Sequence, residues 1–277
     1  DIVHVAETYY NYTLQAIKAK RKGLVKKVIS TVWEVIPFNN ESLSGRRGIK
    51  KIARKEIDHF ITPTNLAKKA LLKEGISAKK ITVIPMGIDL DRFKPTTSGS
   101  KVKGEVTILF IGRLEESKGA DNLVKAFIKL SKSILNLKLN LVGQGTLEEK
   151  ITTYKNISLK TVHYDKIHLE YQKADIFCLP SQNTPTWQEQ YGMVLVEAMA
   201  SGLSILTTDT GAIKEVCESA AVYTKGSVQA LHDGLKKLVL DHKKRKELAI
   251  KARQRAVSRY NSLDTAKKIA KVYKDVY

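Results

Sequence analysis

Short apolar runs alternate with amphipathic segments along most of the chain, and this alternation restricts the fold more than any other feature of the sequence. Each run has the length of a strand, and the segments between the runs carry apolar residues at helical spacing. Strands that alternate with helices build parallel sheets covered on both faces. We therefore predict an α/β protein with strands at residues 1–7, 27–35, 59–62, 81–84, 106–111, 138–142, 160–162, 176–179 and 204–208.

A break in composition divides this alternation into two parts. Residues 95–104 (PTTSGSKVKG) contain Pro, Ser, Thr and Gly and few apolar side chains, as linkers do. We predict one Rossmann-like domain over residues 1–94 and a second over residues 105–261. The predicted helices lie at residues 10–22, 48–58, 64–74, 120–131, 146–154, 193–200 and 228–240, and residues 243–277 form a basic, largely helical end.

The chain is strongly basic, with 48 Lys and Arg against 28 Asp and Glu and a net charge of +20. Such a field attracts polyanions, and three interpretations remain open: a solvated basic face, an anionic membrane surface, or nucleic acid. No aromatic residues interleave the basic clusters and no zinc-finger or basic-zipper pattern is present, so we expect no specific nucleic acid partner. The two early clusters comprise Lys18, Lys20, Arg21, Lys22, Lys26 and Lys27, and Arg46, Arg47, Lys50, Lys51, Arg54 and Lys55.

The sequence carries no pattern of a secreted or membrane-spanning protein. Its apolar runs are far shorter than the roughly 20 residues that a bilayer requires, and the segment that begins at Asp1 lacks the pattern of a signal peptide. Because the chain does not open with Met, we expect its natural start to lie upstream. Cys178 and Cys217 lie among apolar residues without metal-ligand spacing, so we expect two buried or half-buried, reduced thiols in a cytoplasmic protein.

A first motif, FIGRLEESKGADNLVKAF, spans residues 110–127. A predicted strand ends at Gly112, a polar turn follows, and a helix begins after the turn. Arg113 and Lys118 lie on this turn, so both cations can converge on one anion, for which a diphosphate is suited. A pair of ordinary surface cations is the alternative interpretation.

A second motif, LVGQGTLEEK, places Gly143 and Gly145 in a turn between a strand and a helix, where the backbone can approach a ligand closely. A third motif spans residues 174–216. There Glu189 lies on a loop, a helix begins near residues 191–193, and Glu197 lies one to two turns into that helix. A carboxylate at Glu197 suits a ribose diol, although a surface carboxylate near a helix terminus is the alternative.

The ordered set of motifs resembles glycosyltransferase family 4, whose members are retaining enzymes of the GT-B fold. The matching segments are VIPMGIDLDRF, GRLEESKG, LVGQG, ADIFCLPS, EQYGMVLVE with EAMASG, and TTDTGAIKEV, and they cover residues 83–217. The resemblance implies two Rossmann-like parallel-sheet domains, the first on the acceptor side and incomplete, the second binding the donor. It also implies that residues 262–277 form a closing helix that crosses back onto the first domain.

The resemblance implies a role for individual residues of this sequence. Arg113 and Lys118 match the pair that clamps the donor diphosphate, Glu197 matches the ribose-binding glutamate, and Glu189 matches the glutamate near the transferred sugar. Val162 lies where the family holds the base, and no metal or cofactor is implied, because Arg and Lys replace a divalent cation. The other donor-binding positions implied are Gly112, Gly143, Gly145, His163, Tyr164, Gln190, Tyr191, Gly192, Met193 and Val194.

The implied activity is retaining transfer of a hexosyl unit from a nucleoside-diphosphate sugar, of UDP or GDP type, to a hydroxyl acceptor such as a glycan or a lipid-linked molecule. Peripheral contact with an anionic membrane at the inner face fits this activity. A non-catalytic, truncated module that binds a nucleotide or a partner is the alternative function.

The first domain departs from the family pattern at one position. Many members carry a histidine two residues after the position of His4, but this chain has Ala6 there and Glu7 next to it. We expect His4 to be packed within its strand. For Glu7, a polar role toward an acceptor and an ordinary strand-end carboxylate remain open.

Overall fold

Two wholly parallel sheets organise the chain in the computed structural model, which describes residues 1–96, 104–148, 154 and 156–277. The described residues form two compact units. The first unit comprises Asp1–Gly87, Pro185–Tyr191 and Ser262–Tyr277, and the second comprises Ile88–Thr184 and Gly192–Asn261. The predicted α/β class is confirmed.

The sheet of the first unit has four described strands in the order β1-β2-β3-β4. A helix follows each of the first three strands, which is the connection that parallel strands require. The strands are β1 (Ile2–Ala6), β2 (Lys27–Thr31), β3 (His59–Thr62) and β4 (Ile81–Val83), and the helices are α1 (Asn11–Arg21), α2 (Arg46–Glu56) and α3 (Asn65–Lys73).

Successive residues of β2 and β3 supply the cores on the two faces of this sheet. Val28 and Phe60 belong to one buried cluster, together with Ile17 of α1. Ile29 and Ile61 belong to the other cluster. This two-sided burial explains why the strands read as continuous apolar runs.

The sheet of the second unit has six described strands in the order β10-β9-β8-β5-β6-β7. They are β5 (Val106–Ile111), β6 (Leu137–Val142), β7 (Ile157–Lys160), β8 (Ile176–Leu179), β9 (Ser204–Thr207) and β10 (Ala221–Tyr223). The described helices are α4 (Ala120–Ser131), α5 (Ile167–Gln172), α6 (Met193–Ala200), α7 (Ile213–Cys217), α8 (Val228–Leu240) and α9 (His242–Arg259).

The last helix, α10 (Ser262–Val276), belongs to the first unit. Its Val272 packs with Ile29 and Ile61 in the sheet core. The Tyr273 hydroxyl lies 2.6 Å from His4 Nδ1, and the other ring nitrogen lies 2.8 Å from the Thr31 hydroxyl. His4 is therefore packed within its strand as predicted, and burial lowers its pKa.

The predicted strand at residues 27–35 is wrong beyond Thr31. The amide of Trp33 donates to the Glu7 carboxylate at 2.8 Å instead of to a neighbouring strand. The amides of Val35 and Ile36 donate to the Glu34 carboxylate in the same way. Two carboxylates therefore end the strand by taking over its backbone donors.

The predicted strand at residues 160–162 lies three residues too late, because β7 pairs Ile157 with Leu139 and ends at Lys160. β7 lies at the edge of the sheet and alternates apolar with polar residues. The strand has only four residues, so this alternation is too short to be recognised in the sequence. The sequence patterns also missed α5, α7 and β10, each of which is a short element. Residues 97–103 of the predicted linker, and residues 149–153 of the helix predicted at 146–154, lie outside the described residues.

Both cysteines are buried and free, as predicted. Burial raises the pKa of the Cys217 thiol to about 12 and raises the pKa of Cys178 as well. Within the described ranges, no helix combines the length and the apolar character needed to cross a bilayer.

Candidate functional site

The loops that follow β5, β6 and β7 line a cleft of about 330 Å³ at the carboxyl edge of the second sheet. β5 has β6 on one side and β8 on the other, so the order of the strands reverses there, and open α/β sheets bind ligands at such a switch point. The predicted residues Gly112, Arg113 and Gly143 lie in the lining of this one cleft, together with Val162.

Gly143 lets two of these loops touch. Its φ is +147°, and a Cβ added there would lie 1.9 Å from the backbone oxygen of Gly112. Backbone hydrogen bonds hold the contact, since Gly112 donates to Val142 and Gly143 donates to Lys160. Any side chain at Gly143 would push the two loops apart, so this position of the second motif requires glycine for steric reasons. Gly145 lies two residues further along the same loop.

Arg113 and Lys118 lie on the loop between β5 and α4, as the motif predicts. The Arg113 side chain is largely exposed and forms an ion pair with Glu115 at 2.9 Å. Lys118 ends a short 3-10 turn and is half-buried. Since an exposed ion pair contributes little free energy, an incoming anion can replace Glu115 on the guanidinium at small cost.

The residues that follow β8 contact the middle of the loop between β5 and α4. Gln182 donates its backbone amide to the Ser117 oxygen at 2.8 Å. Gly119 starts α4 with φ +70°, and a Cβ there would lie 2.1 Å from the backbone oxygen of Pro180. The middle of the loop is therefore fixed by its backbone, and the Arg113 side chain at the start of the loop is largely exposed.

Glu197 lies in the second turn of α6 and is buried, with 4% of its surface exposed. The Tyr171 hydroxyl donates to Oε2 at 2.6 Å, and the Tyr164 hydroxyl donates to Oε1 at 3.4 Å. Burial raises the pKa of Glu197, while the two tyrosine hydrogen bonds act in the opposite direction. The carboxylate is thus firmly held at one oxygen and loosely held at the other.

Arg92 fixes the position of Tyr164 through two contacts. The Arg92 guanidinium lies 4.4 Å from the centre of the Tyr164 ring and also donates to the Tyr164 backbone oxygen. His163, the neighbouring predicted residue, is exposed and lies 3.1 Å from Asp165. Sequence reasoning missed Arg92 and Tyr171, because no spacing rule connects either residue with Glu197.

The N-terminus of α6 is formed by three predicted residues. Gly192 precedes the helix with φ +79°, and Met193 and Val194 are its first two residues. No side chain caps this terminus. Its first amide groups and the positive end of the helix dipole suit an oxygen-rich ligand.

Glu189, Gln190 and Tyr191 belong to the first unit, whereas the other predicted residues belong to the second. Glu189 is buried. The Tyr191 hydroxyl donates to the backbone oxygen of Met86 at 2.8 Å, and its ring meets Trp33 edge-on at 5.5 Å. Tyr191 is therefore a structural anchor within the first unit.

A metal site was not expected from the sequence. In the part of the chain that the structure describes, no three His, Cys, Asp or Glu side chains are grouped so that they could hold a metal ion. The independence of the reaction from metals stays a prediction.

Comparison with known proteins covers both halves of the chain. Residues 93–255 match the family described as Glycosyl transferases group 1, and residues 1–92 match Glycosyltransferase Family 4.

Two curated relatives share moderate identity with the chain. It is 24% identical to the gpi3 subunit of phosphatidylinositol N-acetylglucosaminyltransferase from Schizosaccharomyces pombe. The match extends over 236 residues and covers 82% of this chain and 50% of that protein. The chain is 28% identical over 245 residues to a phosphatidyl-myo-inositol mannosyltransferase of Mycobacterium tuberculosis, covering 83% of this chain and 63% of that protein. The chain thus spans less than two thirds of the length of these relatives.

Among solved structures, Anabaena Alr3699/HepE in complex with UDP is similar with a TM-score of 0.82 and 19% identity, over 99% of this chain and 79% of that chain. This likeness concerns the fold, and it confirms the predicted GT-B arrangement of α/β sheets.

Proposed function

The chain belongs to the glycosyl transferases group 1 family, and on that premise we propose that it transfers a hexosyl unit from a nucleoside-diphosphate sugar to a hydroxyl acceptor, with retention of configuration. The observation that carries this proposal is the cleft at the switch point of the second sheet, where Gly112, Gly143 and the cationic Arg113 line one cavity. A glycine-lined wall next to a cation suits a diphosphate.

Arg113 and Lys118 would act on the leaving group. As the bond between the anomeric carbon and the diphosphate breaks, negative charge grows on the diphosphate oxygens. Two cations on a loop that is held by its backbone would stabilise this charge once the donor diphosphate has replaced Glu115 on the Arg113 guanidinium. The amides at the N-terminus of α6 add partial positive charge, and we propose that they face the donor sugar and phosphate. Glu189 would address hydroxyl groups of the transferred sugar.

Glu197 would bind the ribose of the donor. The strong Tyr171 hydrogen bond orients the carboxylate, and the weak bond from Tyr164 can be exchanged for a ribose hydroxyl. Tyr164 and His163 would then lie beside the base. The Anabaena neighbour was also solved with UDP-glucose, which supports a UDP-type donor over the GDP alternative.

Both relatives are named for phosphatidylinositol or phosphatidyl-myo-inositol. This supports a lipid-linked hydroxyl acceptor and peripheral contact with an anionic membrane at its cytoplasmic face. In the first unit, α2 presents Arg47, Lys51 and Lys55 as exposed cations. Lys50 and Arg54 of the same helix are engaged by Glu74.

A thermal-shift panel with UDP, GDP, ADP and their sugar conjugates tests the donor proposal. We expect stabilisation by one base series and its loss in Glu197→Ala. Incubation with the stabilising donor then tests turnover, by release of the nucleotide and analysis of the anomeric configuration of the product. Stabilisation by a nucleotide without turnover of any conjugate would favour the non-catalytic module, and no stabilisation by any nucleotide would contradict the donor site itself.

A further inference from the structure

The turn at residues 38–40, in the connection between β2 and α2, has a backbone conformation that is costly without glycine. Phe38 has a φ of +60° and Asn40 a φ of +65°, both in the left-handed region. Asparagine tolerates this region, but a bulky aromatic residue rarely adopts it. Half of the Phe38 side chain is exposed, so burial of the ring does not account for the conformation. What the conformation determines is the direction of Asn39, which lies between these two residues.

Buried charged groups hold this turn in place. The Phe38 amide donates to Glu74 Oε1 at 2.8 Å, and the Asn39 carbonyl oxygen accepts from Lys50 Nζ at 3.1 Å. Lys50 and Glu74 are buried and form an ion pair at 2.8 Å. Because hydrogen bonds to charged groups are stronger than those between neutral groups, these two bonds can offset the strain at Phe38.

The Asn39 side chain is hydrogen-bonded at both of its polar atoms. Its Nδ2 donates to Glu34 Oε2 at 2.8 Å and to the backbone oxygen of Thr186 at 3.2 Å. Its Oδ1 accepts from the Asn40 amide at 3.0 Å. Since a carboxylate only accepts hydrogen bonds, the buried Glu34 determines that the nitrogen end of the Asn39 amide faces it. The second hydrogen of this nitrogen is thereby directed at Thr186, which lies 147 residues further along the chain.

Segment 185–191, which carries Glu189, is part of the first unit and is attached to it near both ends. Near its start, the Thr186 backbone oxygen accepts the hydrogen bond from Asn39. At its end, Tyr191 is anchored by its hydroxyl and by its ring, as described above. Glu189 lies between the two attachment points and is buried. The position of its carboxylate therefore depends on both attachments.

We propose that Asn39 is a positioning residue, which holds segment 185–191 through the Thr186 backbone and so places the Glu189 carboxylate for its contact with the transferred sugar. This inference rests on the proposed function, because the contact between Glu189 and the sugar is part of that function. In this role Asn39 acts through the segment and needs no contact of its own with the donor.

Hydrogen exchange of the full chain tests the attachment without any need for turnover. In Asn39→Ala, the backbone amides of residues 187–191 should exchange about 3- to 10-fold faster, because one hydrogen bond that opposes local opening is lost. The amides of β2 should exchange as in the wild type, which shows that the sheet is intact. The matched control is Leu43→Ala, which removes an exposed side chain from the same connection between β2 and α2 and should leave exchange unchanged.

A double-mutant cycle tests whether Asn39 acts through Glu189. Asn39→Ala alone should lower kcat about 3- to 10-fold and leave the affinity for the free nucleotide unchanged, since a free nucleotide has no sugar for Glu189 to contact. In a Glu189→Gln chain, which has already lost the carboxylate, the same substitution should lower kcat at most about twofold. A merely structural role of Asn39 would lower kcat by the same factor in both chains.

Unchanged exchange at residues 187–191 in Asn39→Ala would overturn the inference, as would an equal loss of kcat in the two chains of the cycle. Failure of the proposed function has a different signature, because the wild-type chain then turns over no donor. In that case faster exchange in Asn39→Ala leaves the attachment of the segment standing, and its role in the reaction falls with the function. If a donor is turned over and Glu189→Gln does not suppress the effect of Asn39→Ala, the proposed function stands and this inference fails.

Discussion

The carboxyl edges of the two sheets follow one topology but present opposite chemistry. The edge of the second sheet carries glycines and cations, with Gly143 against Gly112 and Arg113 in the same cleft. The edge of the first sheet carries buried carboxylates, Glu7 and Glu34, and an aromatic surface. Both edges follow the same parallel topology, so the difference between them lies in their side chains, and the cationic edge is the one that suits the diphosphate proposed above.

The largest effect should come from the cations of the second edge. Arg113→Ala and Lys118→Ala should each lower turnover roughly 100- to 1,000-fold, because charge on the leaving group is then less stabilised. Unfolding temperature should barely change, since the Arg113 side chain is largely exposed. Lys125→Ala, which removes an exposed cation from the same unit, is the control and should keep full turnover. Wild-type turnover in both loop variants would remove the assignment.

The first edge should respond to pH instead. Glu7 has a folded-state pKa of about 7, above the ordinary value of 4.5. A raised carboxyl pKa means that the folded chain holds a proton that the unfolded chain releases, so this contribution to stability is full below pH 4.5 and is lost as the pH rises through 7. Over this window the free energy of unfolding should fall by up to about 3 kcal/mol.

Chemical denaturation of the wild-type chain and of Glu7→Gln, at several pH values, measures this difference. The variant should lack the decline that Glu7 contributes, and parallel pH profiles of the two proteins would show that Glu7 titrates at its ordinary pKa.

Glu197, the buried carboxylate of the second unit, differs from Glu7 of the first unit. Glu197 has a hydrogen-bond donor on each oxygen, whereas Glu7 has a donor on one oxygen only. Glu197→Ala should weaken nucleotide binding about 10- to 100-fold, the loss expected for hydrogen bonds to a charged group. Tyr164→Phe should change affinity much less, since its hydrogen bond of 3.4 Å is long. Isothermal titration calorimetry measures both variants. A larger loss in Tyr164→Phe than in Glu197→Ala would reverse the assigned roles.

The smallest effect concerns the basic helix α2 of the first unit. Lys51→Ala should weaken binding to anionic vesicles about fivefold, the effect of one surface lysine. Co-sedimentation with phosphatidylserine-containing vesicles measures it, with neutral phosphatidylcholine vesicles as the control. Equal binding to both kinds of vesicle would contradict an electrostatic contact.

Periodicity and turn residues predicted most elements around the cleft at the carboxyl edge of the second sheet. Strand β5, helix α4 and helix α6 begin and end where the sequence patterns place them. The patterns failed where a side chain replaced a backbone partner, as at Trp33, and where an element was as short as α7. Gly143 was predicted to let the backbone approach a ligand, whereas the close approach in the structure is to the backbone oxygen of Gly112.

By itself, the sequence determined the alternation of strands and helices, the two glycine-containing turns and the order of the motifs. These signals are local, because backbone geometry depends on neighbouring residues. Only the tertiary structure decided that Tyr171 holds Glu197, that residues 185–191 join the first unit, and that Glu7 keeps an unpaired oxygen. Such pairings join residues distant in sequence and depend on how helices pack against the sheets, which no periodic pattern encodes.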